Sequence, residues 1–173
     1  FRSVRAKRPS VGSGLARTLG RTNMLRIHLR DRNQALVAEW GRQFEGRSDV
    51  EVSCGDIFDI SADAVVSPAN SFGYMDGGID LVYLHKFGWS LQDRLQSHLK
   101  AHHYGELPVG QATIVTTEDP LIRYLVSAPT MRVPQPIENT INVYLAFRAA
   151  LISVLQHNAT SAEPIASLLV PGL

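Results

Sequence analysis

Residues 50–80 read VEVSCGDIFDISADAVVSPANSFGYMDGGID, and this stretch alternates strand-like runs with glycine-marked breaks. Val50 to Cys54 reads as a strand that runs into Gly55-Asp56-Ile57. Ala62 to Val66 is a short apolar run that stops at Ser67-Pro68-Ala69-Asn70. The least regular part follows, from Ser71 to Asp80, punctuated by Gly73, Gly77 and Gly78. In α/β proteins ligands sit outside the carboxyl ends of strands, so these junctions are the places to search for a site.

Outward from that stretch the two kinds of period continue. On the N-terminal side Leu25, Ile27 and Leu29 alternate with Arg26, His28 and Arg30, a strand with one wet face. Asp31 and Asn33 can cap a helix whose apolar positions Leu36, Val37, Trp40 and Phe44 share one side. On the C-terminal side Ile79 to Phe87 and Leu91 to His103 read as helices, the latter with Leu91, Leu95 and Leu99 at steps of four. Ala112 to Thr116 and Tyr124 to Ala128 are strands. Asn139 to Gln156 is the longest helical pattern, apolar on most of its circumference and so expected to be largely buried. Ile165 to Val170 reads as a last buried strand before Pro171-Gly172-Leu173. Strands separated by helices predict a three-layer α/β/α sandwich, with helices flanking a mixed, mostly parallel sheet.

The chain has 173 residues, 45% of them hydrophobic and 19% charged, a composition that suits a packed core and excludes wholesale disorder. No run approaches the ~18 apolar residues of a membrane span. The single cysteine, Cys54, excludes an internal disulfide framework, fits a reducing, cytoplasmic setting and is expected to be a buried strand residue. The net charge of +1 is unevenly spread. Residues 1–23 carry six basic side chains and no acid, which leaves eleven basic and sixteen acidic groups, a net charge of −5, in residues 24–173. That balance argues against nucleic acid as a partner of the acidic part. Residues 1–23 read as a basic tail or leader outside the fold, either a transit-peptide-like segment or residues ahead of a start at Met24.

Each candidate site residue has a structural and a functional reading. Asp56 at a strand end can accept a hydrogen bond from an exocyclic amine or cap the following turn. Asn70 offers donor and acceptor to a hydroxyl-rich ligand, or closes an Asx turn. Gly77 and Gly78 ahead of a helix let backbone N–H groups approach a phosphate. Asp80 in the first helical turn favours the helix dipole, or orients a water or a ribose hydroxyl.

The order of these blocks resembles the macro domain family. Gly55-Asp56-Ile57, Ala62-Asp63-Ala64-Val65-Val66, Pro68-Ala69-Asn70 and Gly77-Gly78-Ile79-Asp80 follow the family's sequence of motifs. Gly110-Gln111-Ala112 with Thr116, Tyr124 to Ala128 and Ile165 to Gly172 continue it, so the likeness spans about Val50 to Leu173. It implies that Asp56 and the backbone of Ile57 hold an adenine, and that Asn70 faces the distal ribose. Gly77, Gly78 and Ile79 would wrap the diphosphate, and Asp80 would assist an attacking water in hydrolytic members, with Asn70 beside it in the catalytic set. Gly172 would open a second phosphate loop, and the resemblance predicts that this loop and a last helix are missing from residues 24–173. No metal or cofactor is implied.

The sequence also departs from the family pattern. Ser67 and Pro68 replace the first two positions of the common Asn-Ala-Ala-Asn, and Tyr74, Met75 and Asp76 precede only two glycines. Leu84 stands where a histidine is common, with His85 one step on. Asp76 is either a second catalytic carboxylate or a charge against phosphate, and Phe72 and Tyr74 either stack on a ligand ring or pack the loop. Three functions stay open at this point. The chain binds ADP-ribose or a related nucleotide and hydrolyses ADP-ribosyl linkages, reads the same ligand without chemistry, or is a macro-like domain for another ligand such as RNA. Trp40 and Trp89 are expected in the core or at its edge. His102 and His103, adjacent on a helix, point to different sides and suit no shared metal.

Overall fold

Asn33 starts the first helix as the sequence suggests, its Oδ1 accepting the N–H groups of Ala35 and Leu36. That helix, α1 (Gln34–Gln43), joins strand β1 (Arg26–Asp31) to β2 (Val50–Cys54). The computed structural model describes residues 24–173, and the basic segment before them lies outside the described residues. A 3-10 turn at Ile57–Asp59 leads into β3 (Ala64–Ser67). There follow α2 (Gly78–Phe87), α3 (Ser90–His103), β4 (Thr113–Thr116), β5 (Tyr124–Ser127), α4 (Asn142–Thr160) and β6 (Ser167–Val170).

The strands form one sheet in the order β2-β1-β6-β3-β5-β4, parallel except for β4, which pairs antiparallel with β5. Alternate residues of a central strand serve opposite faces. Val65 of β3 packs with Tyr83, Leu84, Leu91, Leu95 and Leu99 of α2 and α3. Val66, one residue on, packs instead with Ala146, Ala150 and Val154 of α4. The three leucines of α3 are fully buried, each stabilising the fold by about 2 kcal/mol through burial. This is the expected three-layer sandwich. The carboxyl ends of β1, β2, β3, β5 and β6 lie along one edge, where Asp31, Cys54, Ser67, Ser127 and Val170 close their strands.

Three expectations need correction. Helix α4 is not largely buried: Ala146, Ala149, Ala150 and Val154 are, whereas Ile141 ahead of it and Tyr144 and Leu155 within it are exposed. One narrow, alanine-rich stripe meets the sheet. The flank toward α1 borders an open apolar cavity of about 520 Å3 lined by Leu36, Trp40, Phe44, Tyr144 and Phe147 among others. Cys54 is exposed, because β2 is an edge strand, and its Sγ donates to the Arg32 carbonyl at 3.8 Å. Trp89 is 62% exposed at the corner between α2 and α3 rather than in the core. Among the described residues no helix is long and apolar enough to cross a membrane.

Candidate nucleotide site

The turn after β2 is built around a part-buried arginine from β1. Arg30 Nε donates to the Asp56 carbonyl at 2.6 Å, Nη1 to Ser53 Oγ at 2.9 Å and Nη2 to Asp59 Oδ2 at 2.9 Å. The guanidinium lies so close that a Cβ on Gly55, whose φ is +148°, would stand 2.3 Å from Nη2. Only glycine fits there. Asp56 then caps the 3-10 turn, Oδ1 accepting the Phe58 N–H at 2.9 Å, while Oδ2 accepts a hydrogen bond from Arg32. The Phe58 N–H and the Arg32 guanidinium hold its carboxyl below the usual carboxylate range.

Asp56 and Ile57 line a cavity of about 140 Å3 with Arg30, Asp31, Arg32, Ile79, Val82 and Pro171. It opens at the carboxyl ends of β1, β2 and β6, beside the N-terminus of α2. Its volume is below the ~300 Å3 of an ordinary ligand pocket, so it has room for one ring-sized group. Gly77 caps α2 in extended conformation without a side-chain bond, and Gly78, at φ +55°, opens the helix. The first N–H groups of a helix have no intrahelical acceptor, and the exposed glycines leave them accessible.

Asp80, in the first turn of α2, is 6% exposed. Ser67 Oγ donates to its Oδ1 at 2.5 Å, and no described residue bonds Oδ2. Burial pushes the carboxyl up to about 7, against the smaller opposing effect of the Ser67 hydrogen bond. One turn on, Tyr83 donates to the Val66 carbonyl at 3.0 Å, and burial raises its phenol well above the ordinary value.

The rest of the loop is self-supporting. Asn70 Oδ1 accepts the N–H groups of Phe72 and Tyr74, and its Nδ2 donates to the Tyr74 carbonyl at 2.8 Å. The Asx-turn role is therefore the one its amide fulfils here. Met75 is fully buried and its N–H donates to Gln92 Oε1 at 2.8 Å, pinning the loop to α3. Gly73, at φ +70°, lets the chain pass close to Leu95. Phe72 lies against Arg132, which forks onto Glu106, whereas Tyr74 and Asp76 are exposed. Gly172 is held at the end of β6, its N–H donating to Asp31 Oδ2 at 3.0 Å.

Of the predicted residues, Asp56, Ile57 and Ile79 line one cavity, whereas Gly77, Gly78 and Asp80 flank Ile79 at the start of α2 without lining it. Asn70 and Phe72 are turned to loop partners instead. Sequence reasoning missed Arg30, Asp31, Arg32 and Ser67. The Arg30-Asp31-Arg32 run at the end of β1 was the available signal, for it sits at a strand's carboxyl end. Among the described residues no three His, Cys, Asp or Glu side chains are grouped to hold a metal.

The fold is a mostly parallel α/β sandwich with a cavity at its strand ends, and comparison with known proteins narrows it. A family profile described as Macro domain matches residues 66–168, and the chain belongs to that family. The match includes Asn70, Gly77, Gly78 and Asp80, while Asp56 precedes it. An uncharacterized protein of Aquifex aeolicus is 34% identical over 103 residues, 60% of this chain and 59% of that protein. One of Aeropyrum pernix is 35% identical over 100 residues, 58% of this chain and 50% of that protein. The chain spans about half the length of the curated relatives it matches. Among solved structures, the macrodomain of Mycobacterium tuberculosis DarG has a TM-score of 0.53 at 22% identity, covering 70% of this chain and 74% of that one. An Oceanobacillus iheyensis macrodomain variant with ADPR has 0.51 at 19%, covering 68% and 81%. At these identities the likeness shows the fold.

Proposed function

We propose that the protein binds ADP-ribose or a closely related nucleotide and hydrolyses an ADP-ribosyl linkage. The observation that carries this reading is the ring-sized cavity on Asp56, Ile57 and Ile79, with Asp80 buried in the first turn of α2, one residue after Ile79. The solved structure of a macrodomain with ADPR supports the choice of ligand. Asp56 would accept the adenine amine in place of Arg32, the glycine backbone would hold the diphosphate, and the distal ribose would reach toward Asp80. A water attacks the anomeric carbon of that ribose as the bond to the modified group breaks. Its proton passes to Asp80 Oδ2, and the leaving group takes a proton from solvent. A carboxyl near 7 is matched to that task at neutral pH. An exposed free thiol at Cys54 supports a reducing, cytoplasmic setting.

The second reading is a reader that binds without chemistry. Two observations favour it: the Asn70 amide is spent within the loop, and little of Asp80 meets solvent. Incubation with an ADP-ribosylated peptide, followed by chromatography for free ADP-ribose, separates the two. Release by the wild type supports the hydrolase, saturable binding without release supports the reader, and no binding overturns both.

A further inference from the structure

β3 reads Ala64-Val65-Val66-Ser67, an apolar strand that ends in one hydroxyl. Ser67 is fully buried, and its Oγ reaches a single carboxylate oxygen, Asp80 Oδ1, at 2.5 Å. An alanine would fill the same apolar environment with nearly the same volume, so packing gives no reason for the hydroxyl. A buried carboxylate with one donor has its orientation fixed by that donor. Here the bond ties Oδ1 to the end of β3 and leaves Oδ2 without a bond from any described residue. The other titratable groups around Asp80 do not compete for it. Tyr83, on the same helix, is committed to the Val66 carbonyl, and Asp31 at the end of β1 acts on Tyr83 and is bonded to Asn33 and Gly172. The neighbouring strand supplies an internal control. Ser127 of β5 pairs with Ser67 in register and is as deeply buried, yet its Oγ is a fully buried side-chain atom without a partner.

We propose that Ser67 is a positioning residue for the hydrolytic step: its hydroxyl holds Asp80 so that Oδ2 faces the attacking water. The role rests on the reading of Asp80 as the group that accepts the water's proton. It assigns a purpose to the serine that stands where the family commonly carries an asparagine.

The test compares wild type, Ser67→Ala, Ser67→Thr and Ser127→Ala by two readouts. One is the pH profile of kcat and KM for ADP-ribose release. The other is carbon-detected NMR titration of the Asp80 carboxyl in the free protein, which needs no turnover. A hydrogen bond to a charged group is worth about one unit of pKa or more, so Ser67→Ala should raise the Asp80 midpoint by about one unit. Its kcat should fall about 10-fold even at the high-pH plateau, with KM little changed. Ser67→Thr, which keeps the hydroxyl, should restore the midpoint, and Ser127→Ala should leave it at the wild-type value. An active wild type beside a Ser67→Ala variant with unchanged midpoint and plateau overturns the positioning role alone. So does a Ser127→Ala variant that shifts equally. A wild type that binds but never turns over overturns the hydrolase reading, and the role with it.

Discussion

At the mouth of the cavity Asp56 keeps 35% of its side chain exposed and is held by the Phe58 N–H and Arg32, whereas Asp80 is 6% exposed and meets one serine hydroxyl. The first setting favours the charged carboxylate and the second the neutral one, so two aspartates on one site edge titrate in opposite directions. Such a split separates an acceptor that is ionised at neutral pH from a group that exchanges protons near neutrality. It also explains why each has the neighbours it has. Arg30 builds the turn that presents Asp56, and burial of Asp80 at the end of β3 supplies its desolvation.

The largest expected effect is on turnover. Asp80→Ala should lower ADP-ribose release by at least about 100-fold in a chromatographic assay, the range of a general base, while the loss at Asp56 should fall mainly on binding. The next is on stability, where the contrast is sharpest. Asp80 has a raised folded pKa, so its neutral form fits the fold below the unfolded value near 3.8, and stability is lost as pH rises through about 7. Asp80→Asn should therefore match wild type near pH 3.5 and gain increasingly toward pH 8, by on the order of 4 kcal/mol at most. Urea denaturation across that range measures it, and a gain that does not grow with pH breaks the contrast. Asp56 has the reverse sign. Its contribution is present at neutral pH and is lost as pH falls through its lowered folded value. Asp56→Ala should weaken ADP-ribose binding by roughly 10- to 100-fold, the worth of a hydrogen bond to a charged group. Smallest is Arg32→Ala. Its guanidinium is mostly exposed, and removing the pair with Asp56 should change thermal-melt stability by less than about 1 kcal/mol.

Much of the fold was legible because local signals agreed with the tertiary outcome. Asn33 caps α1, Val50 to Cys54 is the strand read from sequence, and the leucine spacing of α3 marks its buried stripe. Helix α4 was misread because an apolar circumference does not say which flank a neighbour covers, and only the alanine stripe meets the sheet. Cys54 was misread because periodicity does not reveal that a strand lies at a sheet edge. At the site, the order of Asp56, Gly77-Gly78 and Asp80 was readable along the chain. Arg30 and Ser67 were not. Their roles depend on contacts 26 and 13 residues away, created by strand order and helix packing.

The most direct test of the division between the two aspartates is calorimetric titration of ADP-ribose into Asp56→Ala and Asp80→Ala beside the wild type. Wild-type binding should be saturable, weakened roughly 10- to 100-fold by loss of Asp56 and little changed by loss of Asp80. Equal affinity in the wild type and Asp56→Ala, or a loss confined to Asp80→Ala, would contradict that division.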